Sequence, residues 1–197
     1  RDPEMSRGLG DVYKRQDVDA MVAFAKAEAF DYVVVAQDDP LALGMVDALA
    51  KVGIPAFGPD AAAARIEASK VFSKDLMKKY GIPTAQYEVF DSAEDALAYL
   101  DSAPIPTVIK ADGLALGKGV IIAATRDEAK EAVVEIMRDK KFGKSGDSIV
   151  IEEFLTGPEV SVLSFTDGKT VVPMVSSMDH KLSLIHISEP TRHLRIS

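Results

Sequence analysis

Residues 106–120 read PTVIKADGLALGKGV, and they carry the strongest chemical signal in the chain. A lysine, Lys110, ends an apolar run, and Gly113, Gly117 and Gly119 follow within nine residues. Glycines let backbone N–H groups close on an anion without interference from Cβ. Lys110 before Asp112 and Lys118 among the glycines add positive charge. The pattern describes a loop that covers phosphates between two strands. It is not a Walker loop, because no Ser or Thr follows the lysine, and its glycine spacing is not that of a dinucleotide fingerprint. A glycine-rich turn with surface lysines would read the same way.

A second segment, 151–162, reads IEEFLTGPEVSV. Backbone groups along a hinge of this kind, at Glu152, Glu153, Phe154 and Leu155, can read an adenine edge. A carboxylate a few residues on, Glu159, can accept from ribose hydroxyls. Solvated acids at a strand hinge are the plainer alternative. A third candidate is Lys70, in EASKVFSKDLMKKY. Lys74, Lys78 and Lys79 read as the solvated face of that helix. Asp179, His180 and Lys181 form a polar cluster after a strand, where a histidine is most often an ordinary surface group.

These residues need elements to hold them. Apolar spacing predicts a helix over 17–30, then a buried parallel strand over 32–36. Asp38, Asp39 and Pro40 open a helix that should run to residue 52 and stop at Gly53. A short strand at IPAFG completes the end of a doubly wound α/β unit. An Ala-rich helix is expected over 60–67. Ser69 should cap a second helix, 70–80, closed by Gly81. Strands at 87–90, 107–110 and 120–124 and helices at 92–101 and 126–139 follow. Strands at 149–154, 160–166 and 170–175 end the pattern, with Asp167 and Gly168 turning a hairpin. The change from α/β to antiparallel strands falls near residue 83.

The chain has 197 residues, no cysteine and a formal net charge of −8. No cysteine means no disulfide, thiolate zinc site or cysteine nucleophile. The acidic balance argues against a whole-surface nucleic-acid binder. No run of about 18 apolar residues suggests a membrane helix, and no secretory signal is visible. Residues 1–16 and 182–197 fit their neighbours poorly. Codons written for RDPEMSRGLGDVYKRQ give, on the opposite strand, LSLIHISEPTRHLRIS. Chance does not produce such agreement over sixteen codons, and the inner part looks like a translated sequencing-library adapter. Both flanks are therefore expected to be non-native. Without them, 17–181 keeps 17 of the 23 Lys and Arg and 27 of the 31 Asp and Glu. Of the three histidines only His180 remains.

Lys70, Lys110, the glycine loop, EEFL and Glu159 occur in an order that resembles the ATP-grasp fold. Longer blocks are similar to the phosphoribosylamine–glycine ligase family: FDYVVVAQDDPLALGMVDAL, GIPAFGP, ASKVFSKDLMKKYGIPTA, VIKADGLALGKGV, VIEEFLTGPEVSV and MDHK. The resemblance implies an α/β (α+β) fold, the end of a doubly wound unit at 17–60 followed by a truncated ATP-grasp domain at 61–181. It implies ATP contacts from Lys70, Lys110, Asp112, Gly113, Gly117, Lys118 and Gly119, the adenine hinge at 152–155, and Glu159 on ribose. Lys110 and Lys118 would serve the chemical step. Asp38, Pro40, Asp179, His180 and Lys181 would face the substrates, glycine and 5-phosphoribosylamine. Mg2+ or Mn2+ would accompany ATP, with ligands beyond Lys181 and none inside 17–181, so this fragment should be inactive alone. A monomeric cytoplasmic enzyme, with no nucleic-acid or membrane partner, is the matching expectation. One departure is AQDDPL, where the family has GPE-x-PL, and another is Leu116 in place of a common alanine. Another ATP-grasp carboxylate–amine ligase and a non-catalytic nucleotide-binding module remain the alternatives.

Overall fold

The computed structural model describes residues 17–115 and 118–178. The chain divides into two compact units, one ending at Phe154 and the other beginning at Leu155.

The described part of the first unit begins with helix α1 (Val18–Ala27), whose N-cap Asp17 accepts from Ala20 N. Strand β1 (Val33–Val34) pairs in parallel with β2 (Ala56–Phe57). Helices α2 (Asp38–Ala42) and α3 (Met45–Lys51) form the crossover between them. Val22, Ala25, Val35, Met45, Leu49 and Ile54 make one small core. Two expectations change here. The strand at 32–36 is only two residues long, and Val34 is 64% exposed, so it is not buried. Its one strand partner among the described residues, β2, covers an edge and not a face. The helix from Asp38 is also not continuous. Gly44 takes a left-handed φ of +84°, which ends α2 and starts α3. The cap is Gln37, with Asp38 and Asp39 in the first turn.

Helices α4 (Ala61–Ala68) and α5 (Lys70–Tyr80) follow, capped by Asp60 and Ser69. Gly81, in left-handed conformation, closes α5. Strands β3 (Tyr87–Phe90), β4 (Thr107–Ala111), β5 (Val120–Ala123) and β6 (Ile149–Glu153) form one antiparallel sheet in the order β3-β6-β4-β5. Helix α6 (Ala93–Leu100) and helix α7 (Arg126–Val133) cover one face of it. A capping box at Thr125 and Glu128 fixes the start of α7, which continues as a π turn, Val134–Arg138. Ala96, Leu100, Ile109, Val133, Ile136, Ile149 and Ile151 are the centre of this larger core. A 3-10 turn, Gly143–Gly146, precedes β6.

The second unit contains a hairpin of β7 (Ser164–Thr166) and β8 (Val171–Pro173). Its turn is the expected one: Gly168 has a φ of +87°, and Asp167 Oδ1 accepts from the N–H groups of Lys169 and Thr170. Both strands are shorter than their apolar runs, and Ser161 bridges Ser177 outside them.

Candidate functional site

The start of α5 and the end of β4 are fastened together by Asp112. Ser69 Oγ accepts from Phe72 N at 3.1 Å, as a helix cap does. The same hydroxyl donates to Asp112 Oδ1 at 3.0 Å, and Val71 N donates to that oxygen at 2.8 Å. A carboxylate at a helix N-terminus satisfies open N–H groups and complements the helix dipole. Asp112, a candidate nucleotide contact, therefore acts here as a fastener of the loop. Lys70 Nζ donates to the carbonyls of Gly113, at 3.1 Å, and Asp112, at 3.4 Å. Loss of hydration lowers the pKa of this ammonium below its ordinary value, and the Lys110 charge pushes the same way. Asp112 and Glu67 oppose that shift.

The strand register sets the rest. Val108 lies opposite Glu152 and Lys110 opposite Val150, so Lys110 and Glu152 are diagonal neighbours on one face. Lys110 Nζ reaches Glu152 Oε2 at 2.8 Å. From α5, Lys74 Nζ approaches Glu152 Oε1 at 3.2 Å. That approach is an ion pair without hydrogen-bond alignment, since Oε1 has no aligned donor. Lys74 aims its N–H groups at Thr84 Oγ1, at 2.7 Å, and Ala85 O, at 3.4 Å. Lys74 and Glu152 are each 6% exposed. Lys74 thus departs from the expected solvated helix face: it sits one turn beyond Lys70, and both point toward the sheet. The side chain of Glu152 is likewise not a solvated acid.

The loop after β4 is held at both ends. Asp112 N donates to Ser148 O at 3.0 Å, and Gly113 N to Ser145 O at 3.3 Å. Ser145 Oγ donates to Leu114 O at 3.0 Å. A Cβ on Gly113 would fall 2.6 Å from that hydroxyl, so glycine is needed for the approach. At the far end Ala111 N donates to Gly119 O at 2.8 Å. A Cβ on Gly119 would lie 2.7 Å from the Ala115 Cβ. Lys118 is exposed, its backbone N–H on Ala115 O. Gly117 lies outside the described residues.

Between this loop and the first crossover is a cleft of about 440 Å3, lined by Gln37, Asp38, Glu67, Lys70, Ala115 and Gly119 among others. The structure therefore brings Asp38 together with Lys70 and the loop. Pro40 is placed elsewhere: it is buried and lines a separate apolar cavity with Met21, Phe24 and Leu49. Glu153 pairs with Gln86, its Oε1 accepting from Gln86 N and its own N–H donating to Gln86 O, both at 2.9 Å. Phe154 is 38% exposed where β6 ends. Leu155 and Glu159 belong to the second unit, and both are exposed. Asp179, His180 and Lys181 lie outside the described residues.

Three participants escaped the sequence reading. Lys74 carried a usable signal, its i+4 spacing from Lys70. Glu67, three residues before Lys70, had the same kind of signal. Ser145 had none, because only the fold brings it to the glycine loop. Among the described residues no three His, Asp or Glu side chains group closely enough to hold a metal ion. Among them, too, no helix is long and apolar enough to cross a membrane.

An antiparallel sheet with a strand lysine, Lys110, beside a helix-borne lysine, Lys70, and a glycine loop is the arrangement of the ATP-grasp class, and the family models place the chain there. The family model of the phosphoribosylglycinamide synthetase ATP-grasp (A) domain matches residues 68–185, and that of the N domain of the same synthetase matches residues 5–67. The chain belongs to the phosphoribosylglycinamide synthetase family. It is 48% identical over 166 residues to a phosphoribosylamine–glycine ligase of Vibrio vulnificus, covering 84% of this chain and 39% of the relative. It is 51% identical over 166 residues to the human trifunctional purine biosynthetic protein adenosine-3, covering 84% of this chain and 16% of that one. The chain therefore spans well under half the length of these relatives. Among solved structures, phosphoribosylamine–glycine ligase from Thermotoga maritima aligns with a TM-score of 0.62 at 35% identity, over 71% of this chain and 34% of that one. A biotin carboxylase from Campylobacter jejuni aligns with a TM-score of 0.68 at 18% identity, over 80% of this chain and 36% of that one, a likeness of fold alone.

Proposed function

We propose that this chain is the nucleotide-binding part of an ATP-dependent ligase that joins glycine to 5-phosphoribosylamine. One observation carries the reading: Lys70 and Lys110 come from different elements to the same end of the sheet, beside a tethered glycine loop. In the reaction the γ-phosphoryl group of ATP passes to a glycine carboxylate oxygen, giving glycyl phosphate and ADP. The phosphoribosylamine nitrogen then attacks the acyl carbon. Phosphate leaves, the nitrogen loses a proton, and glycinamide ribonucleotide results.

The protein's part is positioning and charge neutralisation, as in other phosphoryl transfers. Lys110, Lys118 and the loop amides take the phosphates, with Lys70 beside them. The backbone from Glu152 to Leu155 takes the adenine, and Glu159 takes the ribose. Asp38, in the cleft with Lys70, is the substrate-side residue we favour, with Asp179, His180 and Lys181 as further candidates. The family reading also brings a divalent metal, Mg2+ or Mn2+. The described residues do not gather a ligand set for one. A monomeric enzyme, in the cytoplasm and without nucleic-acid or membrane partners, completes the proposal.

Equilibrium dialysis of labelled ATP tests it. The chain should retain ATP, and Lys110→Ala should weaken retention about tenfold or more, the weight of one charge-assisted hydrogen bond. Unchanged affinity in a folded Lys110→Ala variant would remove Lys110 from the site. Alone, the chain should release no phosphate that depends on both glycine and phosphoribosylamine. Such release would contradict the proposal that the fragment is inactive.

A further inference from the structure

Three polar side chains are buried among the described residues, Lys74, Thr107 and Glu152, and the first two each meet Glu152, Lys74 at its carboxylate and Thr107 at its backbone. Thr107 Oγ1 donates to the Glu152 carbonyl at 2.8 Å. Lys74 and Lys110 approach the two carboxylate oxygens separately. The Lys110 side chain is 28% exposed and faces outward, whereas that of Lys74 is buried and enclosed by Thr84, Ala85 and the Tyr87 ring. A buried carboxylate shared by two ammonium groups leaves one net positive charge. With only one ammonium, the pair would be neutral.

We infer that Lys74 is a positioning residue for polyphosphate binding: it neutralises Glu152, so that Lys110 is tethered by that carboxylate without losing its charge to it. This rests on the nucleotide reading above and deepens it. Lys74 never touches the nucleotide. It acts through Glu152, and its effect falls on the phosphates and not on the base. The alternative is a purely structural lysine that anchors α5. That role would weaken the binding of every ligand together, in proportion to the folded fraction lost.

The test is the affinity of the full chain for ATP and for adenosine, measured by calorimetry alongside Tm. Four proteins are compared: unsubstituted, Lys74→Met, Glu152→Gln and the double variant. Lys74→Met should weaken ATP about tenfold while changing adenosine by less than about threefold, as expected when one charge is lost near a polyanion. Lys74→Met also leaves a buried carboxylate with one partner fewer, which is destabilising. The double variant removes that burden and keeps the test alive if the single variant unfolds. With Lys74 and the Glu152 charge both gone, Lys110 again carries a net positive charge. The double variant should therefore recover the ATP-to-adenosine preference of the unsubstituted chain. Equal losses for ATP and adenosine in Lys74→Met would overturn the inference. So would a double variant whose preference for ATP stays lost. No ATP binding by the unsubstituted chain would overturn the nucleotide reading itself, and this inference with it.

Discussion

The two faces of the β3-β6-β4-β5 sheet are built from alternate residues of the same strands, yet they serve different ends. On one face Ile109, Ala111, Ile149 and Ile151 are at most 2% exposed under α6 and α7. On the other, Lys110 and Glu152 form a charged pair, while Val120 and Ile122 are 45% and 61% exposed. Ile121 and Ile122 are adjacent in the chain and separate in fate: Ile121 packs on the core and Ile122 faces out. A period of two is enough to send neighbours to opposite environments. The comparison shows where stability and function are kept apart. The closed face supplies the burial that holds the strands in register. The open face is closed over Val150 and Glu152, where Lys74 of α5 meets the sheet, and uncovered toward β5; there it can carry charge and uncovered apolar groups, which on our reading meet the phosphates and the base.

The largest effect that could break this contrast is in the core. Ile109→Ala should cost about 2–5 kcal/mol of unfolding free energy. Ile122→Ala, on the exposed side, should stay within about 0.5 kcal/mol. Denaturant titration of both variants decides it, and similar losses would mean that the faces are not distinct. Next in size is the loop. Gly119→Ala drives a Cβ to 2.7 Å from the Ala115 Cβ, which should cost about 1–3 kcal/mol as overpacking does. Adding Ala115→Gly should return part of that loss in Tm. No recovery would show that Gly119 is constrained by something other than this contact.

The smallest expected effect is a pH dependence. Burial lowers the Lys70 pKa from its ordinary 10.5. Between the lowered value and 10.5 the unfolded chain binds more protons than the folded one, so the Lys70 contribution to stability rises with pH across that window. Below it, the contribution is lost as the folded ammonium takes up its proton. Lys70→Met should flatten the rise, read as Tm against pH on the alkaline side. An unaltered slope would place this ammonium in water.

Much of the arrangement around Lys70 and Lys110 was legible because local chemistry marks it. Ser69 and Gly81 are strong start and stop residues, and α5 runs between them as they predict. The apolar run that ends at Lys110 marks β4, and Gly113, Gly117 and Gly119 after it mark a loop. What escaped depends on tertiary partners. The i+4 spacing puts Lys74 on the same helix face as Lys70, but only the sheet beneath shows that this face meets Glu152 and not water. Gly44 lies inside a run that is otherwise good helix, and only its left-handed backbone reveals the break. The apolar stretch at 32–36 suggested burial on both sides, but with β2 as its one strand partner among the described residues Val34 stays exposed. Ser145 reaches the glycine loop from a distant turn, which no local pattern announces.

The most direct measurement of the central claim is methyl NMR of the isoleucine-labelled chain during ATP titration. Ile122, on the open face, should shift on addition of ATP, whereas Ile109 and Ile151, on the closed face, should stay in place. Shifts confined to the closed-face methyls, or none at all at saturating ATP, would contradict the assignment of the open face as the nucleotide site.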